Sequence, residues 1–507
     1  MKIKILSIIF IILIFYSSYT SGLTPTPNKK KNDGTTTLSD IQWEQINDDG
    51  FGSRYNIAPR GMTVFNESLI VGTDNAIDFW AGLNTSLNIV EFIKSVIKVK
   101  LWKNFQSNGC EIWSYNGTGL RQLVGDKDEA LMKAGFGDKN NSEVGTLISY
   151  KGYLYAGIHN HFNGGQIWRT KSITEPWEQV VSEGFGDKTN GAVWVAEIFN
   201  DMLYVGTMNL YKGFEIYRTD DGWNWEAVVG GTSNTQRGFG TSSNFYAWSM
   251  CVYDNKLYVG TDNLKGGGEL WKTTDGITWK PVLAYKGWMG AILHGAEYPR
   301  GFDSGTLNYR GGIRKMIVYN NELFCGFCGE DVYFNIWLSS FKLLSFRQQG
   351  FLLKLRPFQF RESQGLELWK YNATTGEWRK FVGGTGNGNF SGGFGDVRNE
   401  YPWSMTKDDN YLYVGTLRIE PTNVLFSYQK KLLIPRLHIR VESPTGGAEI
   451  WRFNPDQWEW ELLNEKGFGD LNNIGIRGLA IYKNCLFAAT LNLVTGCELW
   501  KYPLTNT

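Results

Sequence analysis

Lys256–Trp279 reads KLYVGTDNLKGGGELWKTTDGITW. Two runs of β-branched and aromatic residues are separated by a glycine-rich turn, and a Thr-Asp-Gly turn leads into a third run, so the stretch reads as strand, turn, strand, turn, strand. Variants of it recur from Ile41 onward in the 507-residue chain. An LYVGT-type strand begins at Leu69, Leu154, Leu203, Leu257, Leu323, Leu412 and Leu486. An EIW-type strand begins at Glu111, Gln166, Glu215, Glu269, Glu367, Glu449 and Glu498. A GFGD-type loop begins at Gly50, Gly135, Gly184, Gly238, Gly301, Gly393 and Gly467. The uninterrupted neighbours Leu154, Leu203 and Leu257 are 49 and 54 residues apart. That period suits a four-stranded propeller blade.

The fourth unit divides into strands at Trp248–Tyr253, Lys256–Asp262, Glu269–Thr273 and Thr278–Leu283, with a tight Asp254-Asn255 turn after the first. The array opens on one fourth-type strand, Ile41–Ile46, and closes on a third-type strand, Glu498–Tyr502. The expectation is an all-β, single seven-bladed β-propeller over 41–507, with four-stranded blades and the ring closed by the N-terminal strand completing the last blade, so that no sheet edge stays free.

Composition bounds the function. A formal charge of +1 speaks against a nucleic-acid partner. Residues 1–21, with Lys2 and Lys4 before the apolar run Ile5–Tyr16 and small polar residues after it, have the form of a signal peptide. The apolar run is shorter than the roughly 20 residues of a membrane span, so a secreted or extracellular protein without an integral span is expected. Residues 22–40, rich in Thr, Pro and Lys, read as a disordered linker. Sequons at Asn66, Asn84, Asn116, Asn140, Asn372 and Asn389 fit an exported glycoprotein. Six cysteines are few for this length, so packing rather than a disulfide framework must hold the core. The Cys325-x-x-Cys328 pair lacks the second pair that a zinc site needs.

Three units carry insertions between their second and third strands, near 76–107, 332–364 and 418–445, with net charges of +2, +4 and +3. Basic amphipathic contact elements, ordinary variable loops and translated intron sequence all account for them, and they carry no functional weight.

The repeats resemble kelch-like and Asp-box (sialidase-type) propeller repeats over roughly Ile41 to Tyr502. ELWKYNATTGEW at Glu367 looks like the second half of a kelch repeat, while RTDDGWNW at Arg218 and KTTDGITW at Lys272 look like shortened Asp-boxes. Gly-Thr stands where a kelch repeat carries a double glycine, so the resemblance implies a propeller without choosing a family function.

In an antiparallel meander the GFGD loops share one face and the Thr-Asp-Gly turns the other. Nine residues before each leading leucine stand Arg60, Gly145, Trp194, Trp248, Arg314, Trp403 and Arg477. They are expected to open the innermost strands at the channel mouth. Guanidinium forks suit carboxylate or phosphate and indoles offer stacking faces, although the same residues would also serve to fill the channel. Asp138, Asp187, Asp396 and Asp470, each followed three residues later by asparagine, read as structural turns, not as calcium ligands. His159 and His161 read as a solvated loop pair, and no metal or cofactor is expected.

The expected function is therefore a non-catalytic, monomeric binding module for a glycan, an anionic ligand or a protein partner, through Arg60, Trp194, Trp248, Arg314, Trp403 and Arg477. The alternative is a sialidase-like glycoside hydrolase, in which Arg60, Arg314 and Arg477 hold a substrate carboxylate and Glu297-Tyr298 or Glu400-Tyr401, placed in loops on the same face, supply the chemistry.

Overall fold

The computed structural model describes residues 43–75, 107–263, 267–284, 312–328, 365–383, 390–418 and 446–504. The signal peptide, the linker and most of the three insertions lie outside these residues, as do Gly301, Glu297-Tyr298, Asn84 and Asn389.

The described chain is all-β and propeller-like: short antiparallel meanders, and no α-helix among the described residues. The fourth blade pairs Asn244–Tyr253, Lys256–Asn263, Leu270–Thr273 and Lys280–Leu283 in sequence order. The first strands of the other blades are Asn56–Phe65, Asn141–Tyr150, Ala192–Phe199, Ile313–Tyr319, Asn399–Lys407 and Asn473–Tyr482. The N-terminal strand is shorter than expected, Glu44–Gln45, and it pairs with Leu499–Pro503 through Glu44↔Lys501 and Gln45↔Trp500. Leu69, Val71 and Trp113 near the start of the array share one buried cluster with Phe487, Ala489 and Leu499 near its end.

The motifs now have physical roles. Hairpin turns such as Asp254-Asn255 hold both residues at positive φ, 49° and 54°, as the twist of a two-residue hairpin requires. The glycine of LYVGT lies where the next blade comes closest. A Cβ on Gly206 would sit 2.5 Å from the Ala247 Cβ, and one on Gly415 would sit 2.6 Å from the Ile476 Cβ.

The GFGD loops are clasps. In the six that are described, phenylalanine adopts the left-handed conformation, at φ between 54° (Phe239) and 63° (Phe468). That costs about 1–2 kcal/mol for a residue with a Cβ. What offsets it repeats in each of these blades. In the third blade Phe185 stacks on Tyr217 at 3.8 Å, and Asn190 Nδ2 donates to the Gly184 carbonyl (2.9 Å) and to Glu215 Oε2 (2.6 Å). The Tyr217 hydroxyl donates to the same Glu215 oxygen at 2.9 Å. In the fourth blade Phe239, Trp271, Asn244 and Glu269 take the same places. Each loop aspartate caps the turn, as Asp138 does by accepting from the Asn140 backbone N–H at 2.9 Å.

Candidate functional site: a bulge in every blade

In each of the seven described pairs of first and second strands the pairing skips one residue at the same place. The skips fall at Pro59/Gly61, Val144/Thr146, Val193/Val195, Ala247/Ser249, Ile313/Lys315, Pro402/Ser404 and Ile476/Gly478. The skipped residues are Arg60, Gly145, Trp194, Trp248, Arg314, Trp403 and Arg477. A β-bulge leaves its extra residue out of the ladder and re-aims its side chain, a device common beside binding sites.

These residues therefore do not open their strands, contrary to the expectation from the sequence. In the fourth blade the strand begins at Asn244, because the residues ahead of Trp248 pair with Thr261 at the end of the LYVGT marker and with Asp262 and Asn263 beyond it. Glu400-Tyr401 likewise lies within the strand Asn399–Lys407 and not in a loop.

The six side chains of this column form two groups, Arg60 with Trp194 and Arg314 and Arg477 with Trp248 and Trp403, joined through Tyr246. The Arg60 guanidinium lies 3.8 Å from the centre of the Trp194 ring. Arg60 Nε donates to the Gly145 carbonyl at 2.8 Å, and Nη2 to the Trp194 carbonyl at 3.3 Å. Arg314 faces Trp248 at 4.7 Å and Trp403 at 5.8 Å, and Arg477 faces Trp403 at 5.3 Å. Tyr246 links Trp194 (4.9 Å) to Trp248 (5.9 Å), and Tyr401 stands 6.3 Å beyond Trp248.

The arginines differ in what neutralises them. Arg477 is clamped between Asp74 Oδ2 (2.7 Å) and Glu143 Oε1 (2.5 Å). Glu143 also meets His159 Nδ1 at 3.5 Å. Burial acts against the Arg477 charge, but Glu143 and Asp74 outweigh it and hold its pKa above the ordinary value. Burial also raises the Asp74 carboxyl, as does repulsion from Glu143. Glu143 is pulled down despite burial, chiefly by Arg477 and His159.

Arg60 and Arg314 have no carboxylate within ion-pair distance among the described residues. Arg314 is only 6% exposed, and its Nε and the Arg60 Nη1 are buried without a hydrogen-bond partner. The indole N–H groups of Trp194 and Trp248 are buried in the same condition. Burial, followed by repulsion from Arg477, pushes Arg314 down to about 10; burial and then Arg314 push Arg60 well below its usual value. A desolvated cation without a counter-ion is costly, so the arrangement is suited to an incoming anion.

Sequence reasoning missed Asp74, Glu143 and Tyr246. Glu143 and Tyr246 stand two residues ahead of their bulges, and Asp74 follows the LYVGT-type strand directly, so a second column counted from the first would have found them. His161 lies half-buried in the turn that follows the strand Tyr153–Asn160, where burial and then His159 bring its imidazole down to about 3. All six cysteines are free, and Cys325 and Cys328 are buried. Among the described residues no group of three or more His, Cys, Asp or Glu is placed to hold a metal ion, and no helix is long and apolar enough to cross a membrane.

No family model and no curated protein matches the sequence. Similar solved structures include the WD40 β-propeller domain of Doa1, at 9% identity and a TM-score of 0.44, covering 92% of this chain and 98% of that one. An ancestral GH74 enzyme is similar at 10% identity and a TM-score of 0.45, covering 89% and 48%. An alpha-L-arabinofuranosidase from Clostridium thermocellum ATCC 27405 is similar at 13% identity and a TM-score of 0.30, covering 64% and 93%. Likenesses this loose carry no activity, substrate or partner to this chain.

Proposed function

We propose that the chain is an exported, closed seven-bladed propeller that binds an anionic, sugar-like ligand at its centre without turning it over. The observation that carries the binding reading is Arg314: a 6% exposed guanidinium lying between Trp248 and Trp403, with no carboxylate partner among the described residues. Arg60 on Trp194 repeats the arrangement. Forked donors would take the charge and indole faces the body of the ligand. Seven-fold closure is supported by the pairing of Glu44–Gln45 with Leu499–Pro503 and by the cluster that joins Leu69 and Val71 to Phe487 and Leu499.

A glycoside hydrolase is a second reading, favoured by one observation: Asp74 and Glu143 are neighbouring carboxyls whose environments drive their affinities for a proton apart. Both bind one arginine, however, and that fork ties the last blade to the first and second.

A glycan array and a fluorogenic sialoside assay on the purified protein separate the two. The expected outcome is retention of anionic glycans, lost in Arg314→Ala at an unchanged melting temperature, with no turnover. Turnover abolished by Asp74→Asn would replace the binding reading by the enzymatic one, and silence in both assays would remove both.

A further inference from the structure

Four asparagines that head an Asn-x-Ser/Thr triplet lie among the described residues: Asn66, Asn116, Asn140 and Asn372. The triplet is an acceptor signal for N-linked glycosylation, a bulky modification, so the modified nitrogen has to stand in water once the chain has folded. Elsewhere the fold uses its asparagine nitrogens internally. The six clasp asparagines are fully buried, each gives its Nδ2 to a loop carbonyl, and none heads a triplet.

Asn116 and Asn372 are turned the opposite way. Each stands where the third strand of its blade gives way to the fourth, Ile112–Tyr115 to Leu120–Val124 in the first blade and Glu367–Asn372 to Glu377–Val382 in the fifth. Asn116 Oδ1 accepts from the Thr118 N–H (2.9 Å), the Thr118 hydroxyl (3.0 Å) and the Gly119 N–H (2.9 Å). Asn372 Oδ1 accepts from the N–H groups of Thr374 (2.9 Å) and Thr375 (3.1 Å). The oxygen is tied to the turn, and the nitrogen has neither a hydrogen-bond partner among the described residues nor a buried position. Asn116, Thr118 and Thr374 are exposed and Asn372 is half-buried.

Other blades show what this turn needs for itself. Asp221 Oδ1 accepts from the Trp223 and Asn224 N–H groups at 2.8 and 2.7 Å, and Asp275 Oδ1 from those of Ile277 and Thr278 at 2.8 and 2.7 Å. An acceptor oxygen is enough, so the amide nitrogen of Asn116 and Asn372 has no part in the turn. Asn454 of the sixth blade gives its nitrogen to Gln457 Oε1 (3.2 Å), and no hydroxyl residue stands two places after it. At Asn66 and Asn140 the triplet is broken by folding, because Ser68 is 3% and Ser142 5% exposed.

We infer that the folded chain carries N-linked oligosaccharides on Asn116 and Asn372, and that Asn66 and Asn140 stay bare. This rests on the exported reading above. In the transfer, Asn Nδ2 forms a bond to the anomeric carbon of an oligosaccharide carried on a lipid diphosphate. The bond from that carbon to the diphosphate oxygen breaks, the lipid diphosphate leaves with the electron pair, and one amide proton passes to a base of the transferase. The product keeps Oδ1 and one amide N–H, so every turn bond named above survives. Lys483 Nζ, from a two-residue hairpin turn of the seventh blade, donates to the Asn116 carbonyl at 2.7 Å, which places both kinds of turn on one face. The oligosaccharides stand on that face, opposite the GFGD loops.

The test is site mapping of the full chain, expressed with its own N-terminus in eukaryotic cells and recovered from the medium. Enzymatic release of N-glycans in heavy-oxygen water converts each modified asparagine to labelled aspartate, which peptide mass spectrometry locates. Most chains are expected to be labelled at Asn116 and Asn372, and few at Asn66 and Asn140. Asn116→Asp and Asn372→Asp keep the acceptor oxygen, as Asp221 does, and each is expected to lose one oligosaccharide while secretion stays at the wild-type level. Thr118→Ala is expected to lose the same oligosaccharide as Asn116→Asp with Asn116 still in place. Equal labelling of all four asparagines, or a secreted chain bare at Asn116 and Asn372, overturns the inference and leaves export standing. A chain that stays in the cytosol overturns export and the inference together.

Discussion

Every described GFGD clasp and every bulge occupies a fixed position in its blade, yet the two are built on opposite rules. The clasp keeps its Gly-Phe-Gly and its asparagine constant and bonds that asparagine amide to the loop carbonyl in each described copy. Asn190 Nδ2 has two acceptors, Glu215 receives Asn190, Tyr217 and the Gly231 N–H (2.5 Å), and Arg237 closes on it at 3.1 Å. The bulge keeps its geometry constant and varies the residue: three arginines, three tryptophans and one glycine. Several of its donors have no partner among the described residues. Constant position with constant residue marks what every blade needs in order to pack against its neighbour. Constant position with varied residue marks a place that the fold supports without dictating its content.

Arg477 is the point at which this contrast can break, because it sits in the bulge ring but is bonded like a clasp residue. Arg477→Met would leave Asp74 and Glu143 buried against each other, at an expected cost of about 3–5 kcal/mol in chemical denaturation. Arg314→Met removes a buried charge that no carboxylate meets at ion-pair distance among the described residues, so stability is expected to stay level or rise by up to about 1 kcal/mol. Equal losses in both variants would mean that the whole ring is structural. The clasp gives the intermediate effect: Asn190→Ala leaves the Gly184 carbonyl only the longer bond from the Asp187 N–H (3.3 Å) and removes one bond from Glu215 and one acceptor from Asn209, for about 2 kcal/mol. It should leave ligand binding intact at temperatures where the variant is folded.

The two rules explain what could be read from the sequence. The clasp was legible because its residues repeat; GFGD, EIW and LYVGT are clasp, stacking partner and close-approach strand, and counting them located the blades. The column was legible as a position, since nine residues before each leucine is a fixed distance along a hairpin. That the column is a bulge was hidden, because a bulge is a property of pairing between two strands and leaves no residue signature in either. The consequence was a misplaced start for the strands.

The smallest expected effect is a difference in the sign of a pH slope. At the flank of the clasp, burial pushes the Asp396 carboxyl up, but Arg398 (2.7 Å) and Arg418 (2.7 Å) outweigh it and hold it far below the usual range. Its unfolded form takes up protons first, so its contribution is complete above about pH 4 and is lost as pH falls further. In the bulge ring, burial and Glu143 hold the Asp74 carboxyl above the unfolded value. There the folded form keeps a proton that the unfolded form gives up, so stability declines as pH rises from about 4 through the raised value. Asp396→Asn should therefore flatten the acid limb of the stability profile, and Asp74→Asn the limb above it, each by less than about 1 kcal/mol after solvent screening. Profiles that both variants shift in the same direction would show that the two carboxyls share one electrostatic environment, and the separation of clasp from bulge would have no electrostatic content.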